Sequence, residues 1–350
     1  MQTINPNSTE EAKMLLGLLY TMDGVITGQH EYMTVPEVYT NFIYNEQDKY
    51  PGLVGYQLAH IVGEDEEDWT DEKINLYRSK IVEKAIAHWN RGGIVHMSYH
   101  QTYPFTKATW GNITRNTTQA EFDQCLLPGS NENAWLLSEY DKLADHLETL
   151  QNNGVPILFR PYHEMNGYWF WYAGKTPESF QKLWNLLYDR LVNYHNLNNI
   201  LWVWGPNSKS ANDINITRLA YYYVGHHRCD VLSQTLYTEF GSRLDLSTYD
   251  ELYEVGQGKP IAIAECGKIP SIDLLQSLGL NYRWFMCWGK YINDPTMENG
   301  QVLENTLGDR NQAYQSIYSR SAGEFYLPKT DFDIVHRQWR NINYLLQKRK

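Results

Sequence analysis

The sequence has 350 residues, of which 42% are hydrophobic, and a formal net charge of −11 at pH 7. This acidic balance argues against a nucleic-acid partner, because binding to a phosphate backbone depends on clustered Lys and Arg. The mean hydropathy is −0.55, and no apolar run reaches the about 18 residues that a membrane-spanning helix needs.

Short apolar runs, each followed by a longer helical pattern, recur along the chain. The predicted strands cover residues 15–20, 53–59, 92–100, 155–160, 200–205, 231–237, 260–265 and 282–289. Several of them are apolar nearly throughout, as is typical of parallel strands buried on both faces.

Helical patterns lie between most of these strands. Thr70 precedes an acidic first turn, and Thr176-Pro177 combines an N-cap residue with a proline at the first helical position. Residues 134–151 and 332–347 are predicted as further helices.

Eight strands with intervening helices predict a closed (β/α)8 barrel, also called a TIM barrel. No repeat, low-complexity tract or Pro/Ser linker interrupts the sequence, so we expect a single domain over residues 1–350 with its core at about 14–347. The alternative is a doubly wound open sheet, which usually carries a Gly-rich phosphate loop after its first strand. Residues 20–24 do not form such a loop.

The cysteines give no sign of a metal or redox site. Cys125, Cys229, Cys266 and Cys287 lack CxxC spacing, so we expect no metal and no cofactor. Cys266 and Cys287 fall on neighbouring predicted strands, and we predict free thiols at all four positions.

In barrels of this kind the catalytic groups project from the C-terminal ends of the strands. These ends offer, in chain order, Tyr20 and Asp23, His60, His100, His163 and Glu164, Trp204 and Asn207, Tyr237, Glu265, and Trp288. The set is rich in groups that titrate, hydrogen-bond or stack. The sequence also has 12 Trp and 27 Tyr, many of them near Gly, Asn and Pro, which suits a cleft that binds sugar rings.

Two strand-end carboxylates stand out. Glu164 follows the fourth predicted strand, and Glu265 ends the seventh directly after an apolar run. Such a carboxylate is costly to desolvate unless it is used or paired, and a structural salt bridge with Arg160 is the alternative. Two of them at opposed strands favour catalysis. Glycosidic cleavage needs such a pair, because one group protonates the leaving oxygen while the other attacks the anomeric carbon.

Residues 160–172 read Arg-Pro-Tyr-His-Glu-Met-Asn-Gly-Tyr-Trp-Phe-Trp-Tyr. This segment resembles glycoside hydrolase family 26, which consists mainly of endo-β-1,4-mannanases. The similarity continues at residues 24–30, the family's opening loop, and at 98–101, 126–131, 200–207 and 259–267, and it covers about residues 14–345.

The resemblance implies a retaining endo-β-1,4-mannanase that acts on mannan-type polysaccharide by double displacement, with Glu164 as acid/base and Glu265 as nucleophile. It implies that His163 contacts the −1 sugar or orients Glu164. Arg160 and Tyr237 would hydrogen-bond the nucleophile and keep it ionised.

Other residues are expected to bind substrate. The resemblance implies that Trp169 and Trp288 are sugar platforms. We assign Phe170 to core packing, because adjacent side chains cannot all face one cleft. His100 faces the barrel mouth by its strand-end position, so we predict that it hydrogen-bonds the substrate.

Three departures from the family pattern leave the polymer open. Residues 98–100 read Ser-Tyr-His instead of Ser-Trp-His, residues 223–230 lack the usual acidic Gly-Asp pattern, and Cys266 stands where an aromatic residue is common. Substrates such as β-1,3-xylan or mixed-linkage β-glucan are therefore alternatives. A non-catalytic carbohydrate-binding barrel is a further alternative, although the presence of both glutamates argues against it.

We expect a monomer whose partner is a β-linked polysaccharide or oligosaccharide. No signal peptide is visible, because residues 1–12 are polar and residues 15–20 are too short for its apolar segment. Four N-x-[ST] sequons begin at Asn7, Asn112, Asn116 and Asn215. We expect a secreted, periplasmic or cell-surface location, with the leader absent from this chain.

Overall fold

Eight parallel strands form a closed barrel in chain order, with the last strand paired to the first. The computed structural model describes residues 2–22, 24–47, 50–59, 69–209, 215–237, 243–267, 275 and 277–292. The strands are β1 (Ile26–Glu31), β2 (Leu53–Gln57), β3 (Ile94–Tyr99), β4 (Ile157–Pro161), β5 (Ile200–Trp204), β6 (Val231–Leu236), β7 (Ile261–Cys266) and β8 (Tyr282–Cys287). The predicted (β/α)8 architecture is confirmed.

A helix precedes β1, and helices lie between most of the strands along the chain. They are α1 (Glu10–Thr21), α2 (Val38–Gln47), α3 (Asp71–Asn90), α4 (Trp110–Ile113), α5 (Gln119–Leu126), α6 (Asn131–Asn152), α7 (Pro177–Tyr188) and α8 (Arg243–Gly256), with single helical turns at Asp189–Tyr194, Leu219–Tyr222 and Gly289–Ile292. The predicted caps are present, since Thr70 accepts the backbone N–H of Lys73 and Thr176 that of Ser179. No helix among the described residues has the length and apolar character to cross a membrane.

The prediction of a first strand at residues 15–20 was wrong. These residues belong to α1, whose N-cap Thr9 accepts the backbone N–H of Ala12. Leu15, Leu16 and Leu19 are fully or almost fully buried. The helix is covered on several sides, so its sequence is as apolar as that of a buried strand. Tyr20 is therefore a helical residue rather than a strand end.

The first strand is instead β1, in the segment predicted as an opening loop. Its side chains at Thr27, Gln29, His30 and Glu31 are polar and completely buried. Because these buried side chains are polar, the hydrophobic periodicity of the sequence did not indicate a strand here. Two predicted strand-end residues, Asp23 and His60, and the predicted helix at 332–347 lie outside the described residues.

The N-terminal end of the barrel is apolar. Leucines of α1 share one hydrophobic cluster with Leu53, Ile94 and Val231, which are the first residues of β2, β3 and β6. Trp284 and Met286 of β8 belong to the same cluster. The helix therefore closes this end of the barrel, and the opposite end is left to carry polar groups.

All four cysteines are buried and free, as predicted. Cys266 and Cys287 are in register on β7 and β8, and the Cys266 thiol donates to the backbone oxygen of Met286 at 3.4 Å. Burial raises the pKa of Cys266 well above its ordinary value. The thiol is therefore protonated and packs as a small apolar group.

Candidate active site

Both glutamates lie at the C-terminal end of the barrel. Glu265 is the penultimate residue of β7, and Glu164 shortly follows β4. Their exposed fractions are 6% and 7%. Glu164 has φ = 59° and Tyr162 has φ = 46°, a left-handed conformation that is uncommon outside glycine and is found at functional sites. The backbone N–H of Glu164 donates to the carbonyl oxygen of Gly205 at 2.7 Å.

Two side chains donate to the carboxylate of Glu265. Arg160 Nη1 lies 2.7 Å from Glu265 Oε2, and the Tyr237 hydroxyl lies 2.8 Å from Oε1. Both hydrogen bonds were expected from the sequence. The guanidinium is completely buried, and its second terminal nitrogen donates to Thr235 Oγ1. Both oxygens of this carboxylate therefore accept hydrogen bonds, and the one from the guanidinium is charge-assisted.

Glu164 is in a different electrostatic environment. Burial, and then the negative charge of Glu265, raise the pKa of Glu164 to about 8. The positive charge of Arg160 and hydrogen bonds from Trp169 and Thr235 oppose this rise, with Trp169 Nε1 at 2.6 Å from Glu164 Oε2. Glu164 therefore holds its proton near neutral pH. Two carboxylates pushed apart in this way can serve as acid and base in one reaction.

Histidines lie beside the pair. The rings of His100 and His163 meet edge to face at 4.3 Å, and His163 Nε2 is 3.8 Å from Glu265 Oε2. Burial lowers the pKa of His163 well below its ordinary value, so the ring is neutral. Within the described part of the chain neither of its ring nitrogens has a hydrogen-bond partner. His100 Nδ1 lies 2.6 Å from Gln57 Nε2, and its predicted contact with substrate stays a prediction.

The two tryptophans predicted as platforms differ in exposure. Trp169 is half-buried beside Glu164, whereas Trp288 is 4% exposed and stacks on His30 with centroids 3.7 Å apart. Their roles as platforms stay predictions. Phe170 is buried, as assigned. The half-buried Trp110, which the sequence analysis did not single out, faces the His100 ring at 6.1 Å.

The loop that carries Glu164 is tied to the neighbouring strand. Asn166 Nδ2 donates to the backbone oxygens of Asn207 and Thr217, and Asn166 Oδ1 accepts the backbone N–H of Asn207 at 2.7 Å. The Tyr172 hydroxyl donates to the backbone oxygen of His163 at 3.0 Å. Asn207, a predicted strand-end group, therefore helps to hold the loop in place.

Sequence reasoning also missed Thr235, Gly205 and Gln57. Thr235 hydrogen-bonds Glu164 and accepts a hydrogen bond from Arg160, which in turn donates to Glu265. It therefore connects the two carboxylates through the guanidinium. The strand-end rule could have found it, because it lies close to the end of β6. Gly205 directly follows β5 and has no side chain to attract notice. No group of three or more His, Cys, Asp or Glu among the described residues is arranged to hold a metal ion.

The family model for glycosyl hydrolase family 26 matches residues 4–309. A mannan endo-1,4-beta-mannosidase from Thermothelomyces thermophilus is 32% identical over 314 residues, which are 86% of this chain and 60% of that protein. Another from Bacillus subtilis is 26% identical and covers 92% of this chain and 89% of that protein. The chain spans only 32% of mannan endo-1,4-beta-mannosidase A from Piromyces sp..

Solved structures agree with the fold. The structure of GH26A from Muricauda sp. is 31% identical with a TM-score of 0.79, and the match covers 93% of this chain and 99% of that one. The GH26-CBM35 beta-(1,4)-mannanase from Podospora anserina is 28% identical with a TM-score of 0.71, over 97% of this chain and 69% of that one.

Proposed function

This chain belongs to glycosyl hydrolase family 26, and on that premise we propose that it is a retaining endo-β-1,4-mannanase. Glu164 is the acid/base and Glu265 the nucleophile. The observation that carries the proposal is the electrostatic difference within the pair. Glu164 has a pKa of about 8 and holds a proton, whereas Glu265 accepts hydrogen bonds from Arg160 and Tyr237 on its two oxygens.

In the first step a carboxylate oxygen of Glu265 attacks the anomeric carbon, and the bond from that carbon to the leaving oxygen breaks. The Glu164 proton passes to the leaving oxygen, so the sugar departs as a neutral alcohol. The product is a glycosyl ester on Glu265 and a deprotonated Glu164. The indole N–H of Trp169 already donates to Glu164 and stabilises the carboxylate that forms.

The second step depends on the electrostatic interaction between Glu164 and Glu265. The negative charge of Glu265 contributes to the raised pKa of Glu164, and esterification removes that charge. The pKa of Glu164 therefore falls, and the deprotonated group takes a proton from water. The water oxygen attacks the anomeric carbon, the ester bond breaks, and Glu265 is regenerated with the configuration of the sugar retained.

The choice of substrate rests on the related proteins and on His163. Mannan is favoured because the related proteins are named mannan endo-1,4-beta-mannosidases. Neutral His163, with two ring nitrogens without partners among the described residues, suits a contact with sugar hydroxyls. We further propose a single catalytic domain that acts as a monomer outside the cytoplasm, with Trp169, Trp288 and His100 as sugar contacts.

The test is hydrolysis of a panel containing β-mannan, galactomannan, β-1,3-xylan and mixed-linkage β-glucan, with sizing of the products. We expect mannan to be cleaved internally, and NMR of the first products to show β-anomers. First products with the α-configuration would disprove double displacement. Activity on another member of the panel alone would replace mannan as the substrate. Binding without hydrolysis of any polymer would favour the non-catalytic barrel.

A further inference from the structure

We infer that Gly205 is a positioning residue for both catalytic glutamates. Its carbonyl oxygen holds the backbone of the acid/base Glu164, and its lack of a side chain creates the space in which Arg160 reaches the nucleophile Glu265. The catalytic part of the inference rests on the proposed function. The contacts of Gly205 from which it is argued do not depend on that function.

The carbonyl contact concerns the acid/base. The backbone N–H of Glu164 donates to the oxygen of Gly205 at 2.7 Å. Glu164 has φ = 59°, and a non-glycine residue keeps such a conformation only where its surroundings hold it. Gly205 directly follows β5, so the end of a barrel strand fixes the backbone of this residue.

The missing side chain concerns the nucleophile. A Cβ atom on Gly205 would lie 2.6 Å from Arg160 Nε and 3.3 Å from Arg160 Cδ, with Ser233 Oγ at 2.9 Å. The Nε atom is in the middle of the arginine side chain. The side chain is completely buried and its terminal nitrogens are bonded to Glu265 and Thr235, so it can make room only by lengthening these hydrogen bonds.

Backbone conformation does not explain this glycine. The φ angle of Gly205 lies outside the left-handed range, unlike that of Gly174 at 66°. An alanine could therefore adopt the same backbone. The structure requires glycine at position 205 for space alone, and the atoms that occupy this space belong mainly to Arg160.

A methyl group at position 205 would consequently move the guanidinium away from Glu265. The nucleophile would lose its charged donor. The kcat/KM of the folded enzyme should then fall. A variant that is merely less stable would lose folded protein but keep the kcat/KM of the fraction that is folded.

The test compares Gly205→Ala with Gly256→Ala. A Cβ on Gly256 would meet the Leu232 side chain at 3.2 Å, so this control adds milder crowding at the end of α8 without touching Arg160. We expect Gly205→Ala to lower the kcat/KM of the folded enzyme by about 10²-fold, as for a small displacement of catalytic groups. Gly256→Ala should leave the kcat/KM of the folded enzyme as it is in the unchanged protein.

A double-mutant cycle identifies Arg160 as the group displaced. In an Arg160→Ala background, which removes both Nε and Cδ, adding Gly205→Ala should lower kcat/KM by less than about threefold, because little remains to be displaced. An equal loss with and without Arg160 would overturn the inference. So would a Gly205→Ala enzyme that behaves like the Gly256→Ala control.

A crystal structure of Gly205→Ala gives a measurement that needs no activity. We expect the Arg160–Glu265 separation to exceed the present 2.7 Å, and an unchanged separation would overturn the inference even if the enzyme hydrolysed no polysaccharide. If Gly205→Ala fails to fold, the Arg160→Ala/Gly205→Ala protein decides the question. Folding of the double variant supports the clash with Arg160, and its failure to fold assigns Gly205 to general packing and rejects the inference.

Discussion

Two buried carboxylate sites, one at each end of the barrel, have different hydrogen-bond donors. At the N-terminal end Asp230 accepts backbone N–H groups from Ile4 at 2.8 Å and Trp202 at 2.9 Å. At the C-terminal end Glu164 and Glu265 accept from side chains and lie close enough that the charge of one raises the pKa of the other. Burial raises the pKa of Asp230 to about 6 against the opposing effect of its two backbone hydrogen bonds, whereas the rise at Glu164 also has the charge of a second carboxylate as a cause. The interaction between two carboxylates is therefore what distinguishes the Glu164–Glu265 site from Asp230.

The residues packed around these carboxylates also differ between the two ends of the barrel. The N-terminal end is filled by leucines of α1 and the first residues of several strands. The C-terminal end contains His100, Arg160 and His163, all almost completely buried. In barrels of this type, stability resides at the first end and chemistry at the second. Substitutions at the two ends should therefore separate stability from activity.

The largest effect is expected from the proposed catalytic pair, Glu164 and Glu265. Glu164→Ala should lower polymer hydrolysis by about 10²–10⁴-fold, because a sugar leaving group needs a proton. An activated aryl glycoside needs little protonation, so its glycosyl-enzyme should accumulate. Azide should release this intermediate as the β-glycosyl azide. Glu265→Ala should inactivate the enzyme on both substrates, and azide in the vacated space should give the α-glycosyl azide.

The measurement is NMR of the anomeric configuration of each azide product. The α-product from Glu164→Ala together with the β-product from Glu265→Ala would reverse the two roles. If neither variant lost activity on polymer, the site would be wrong. Circular dichroism of both variants serves as the control, since neither substitution removes apolar packing.

A substitution at the opposite end should do the reverse. Leu19 in α1 is completely buried, so Leu19→Ala should lower the free energy of unfolding by about 2–5 kcal/mol through lost burial and a cavity. The kcat of the folded protein should stay unchanged. Urea unfolding measures the loss, and Leu76→Ala, at a 55% exposed position, is the control that should be nearly neutral. A large fall in kcat for Leu19→Ala would show that the two ends are coupled.

Stability should depend on pH through Glu164. Its pKa in the folded protein, about 8, exceeds the ordinary value of 4.5. The folded state therefore binds the proton more tightly, and the stability that this contributes is complete below about pH 4.5 and is lost as pH rises through about 8. Glu164→Gln should raise the thermal midpoint relative to the unchanged protein at pH 9, and by less at pH 4. An equal difference at both pH values would contradict the raised pKa.

The smallest effect is expected from the hydrogen-bond donor to Glu164, the proposed acid/base. Trp169→Phe removes the indole N–H that lies 2.6 Å from Glu164. Because this hydrogen bond lowers the pKa of Glu164, the basic limb of the pH–rate profile should move to higher pH. Loss of one hydrogen bond should lower kcat by about two- to tenfold.

Trp171→Phe is the matched control for this experiment. Its indole N–H donates to the backbone oxygen of Gln101 at 2.7 Å instead of to a carboxylate. The variant should lose stability without moving the basic limb. A shift of equal size in both variants would mean that packing, and not the donor to Glu164, sets the limb.

The sequence predicted the parts of the fold in which local pattern and burial agree. Strands β2 to β8 are apolar enough to be found, and the family motif around Glu164 specifies the fourth strand end. The failures were α1 and β1. A short apolar run cannot distinguish a strand from a helix that is buried on several sides, and β1 buries the polar side chains of Gln29 and His30 completely, so its pattern is polar.

The site was predictable only where a residue type carries its own chemistry. Glu164, Glu265, Arg160 and Tyr237 follow from charge, strand ends and the motif. Thr235 lies opposite Glu265 because the register of β6 and β7 shifts after Gln234. Such a shift is a property of strand pairing in three dimensions, and no local pattern reports it.

The pairing of β1 with β8 has a consequence for the order of folding. This seam joins Ile26 to Trp284 and Gln29 to Cys287, across almost the whole of the described chain. Contacts so distant in sequence form slowly, because a long loop must close before they contribute. Until then both strands present unpaired backbone edges, which favour aggregation. Glu265 lies on the strand next to this seam, so we expect catalytic competence to be the last property that the folding chain acquires.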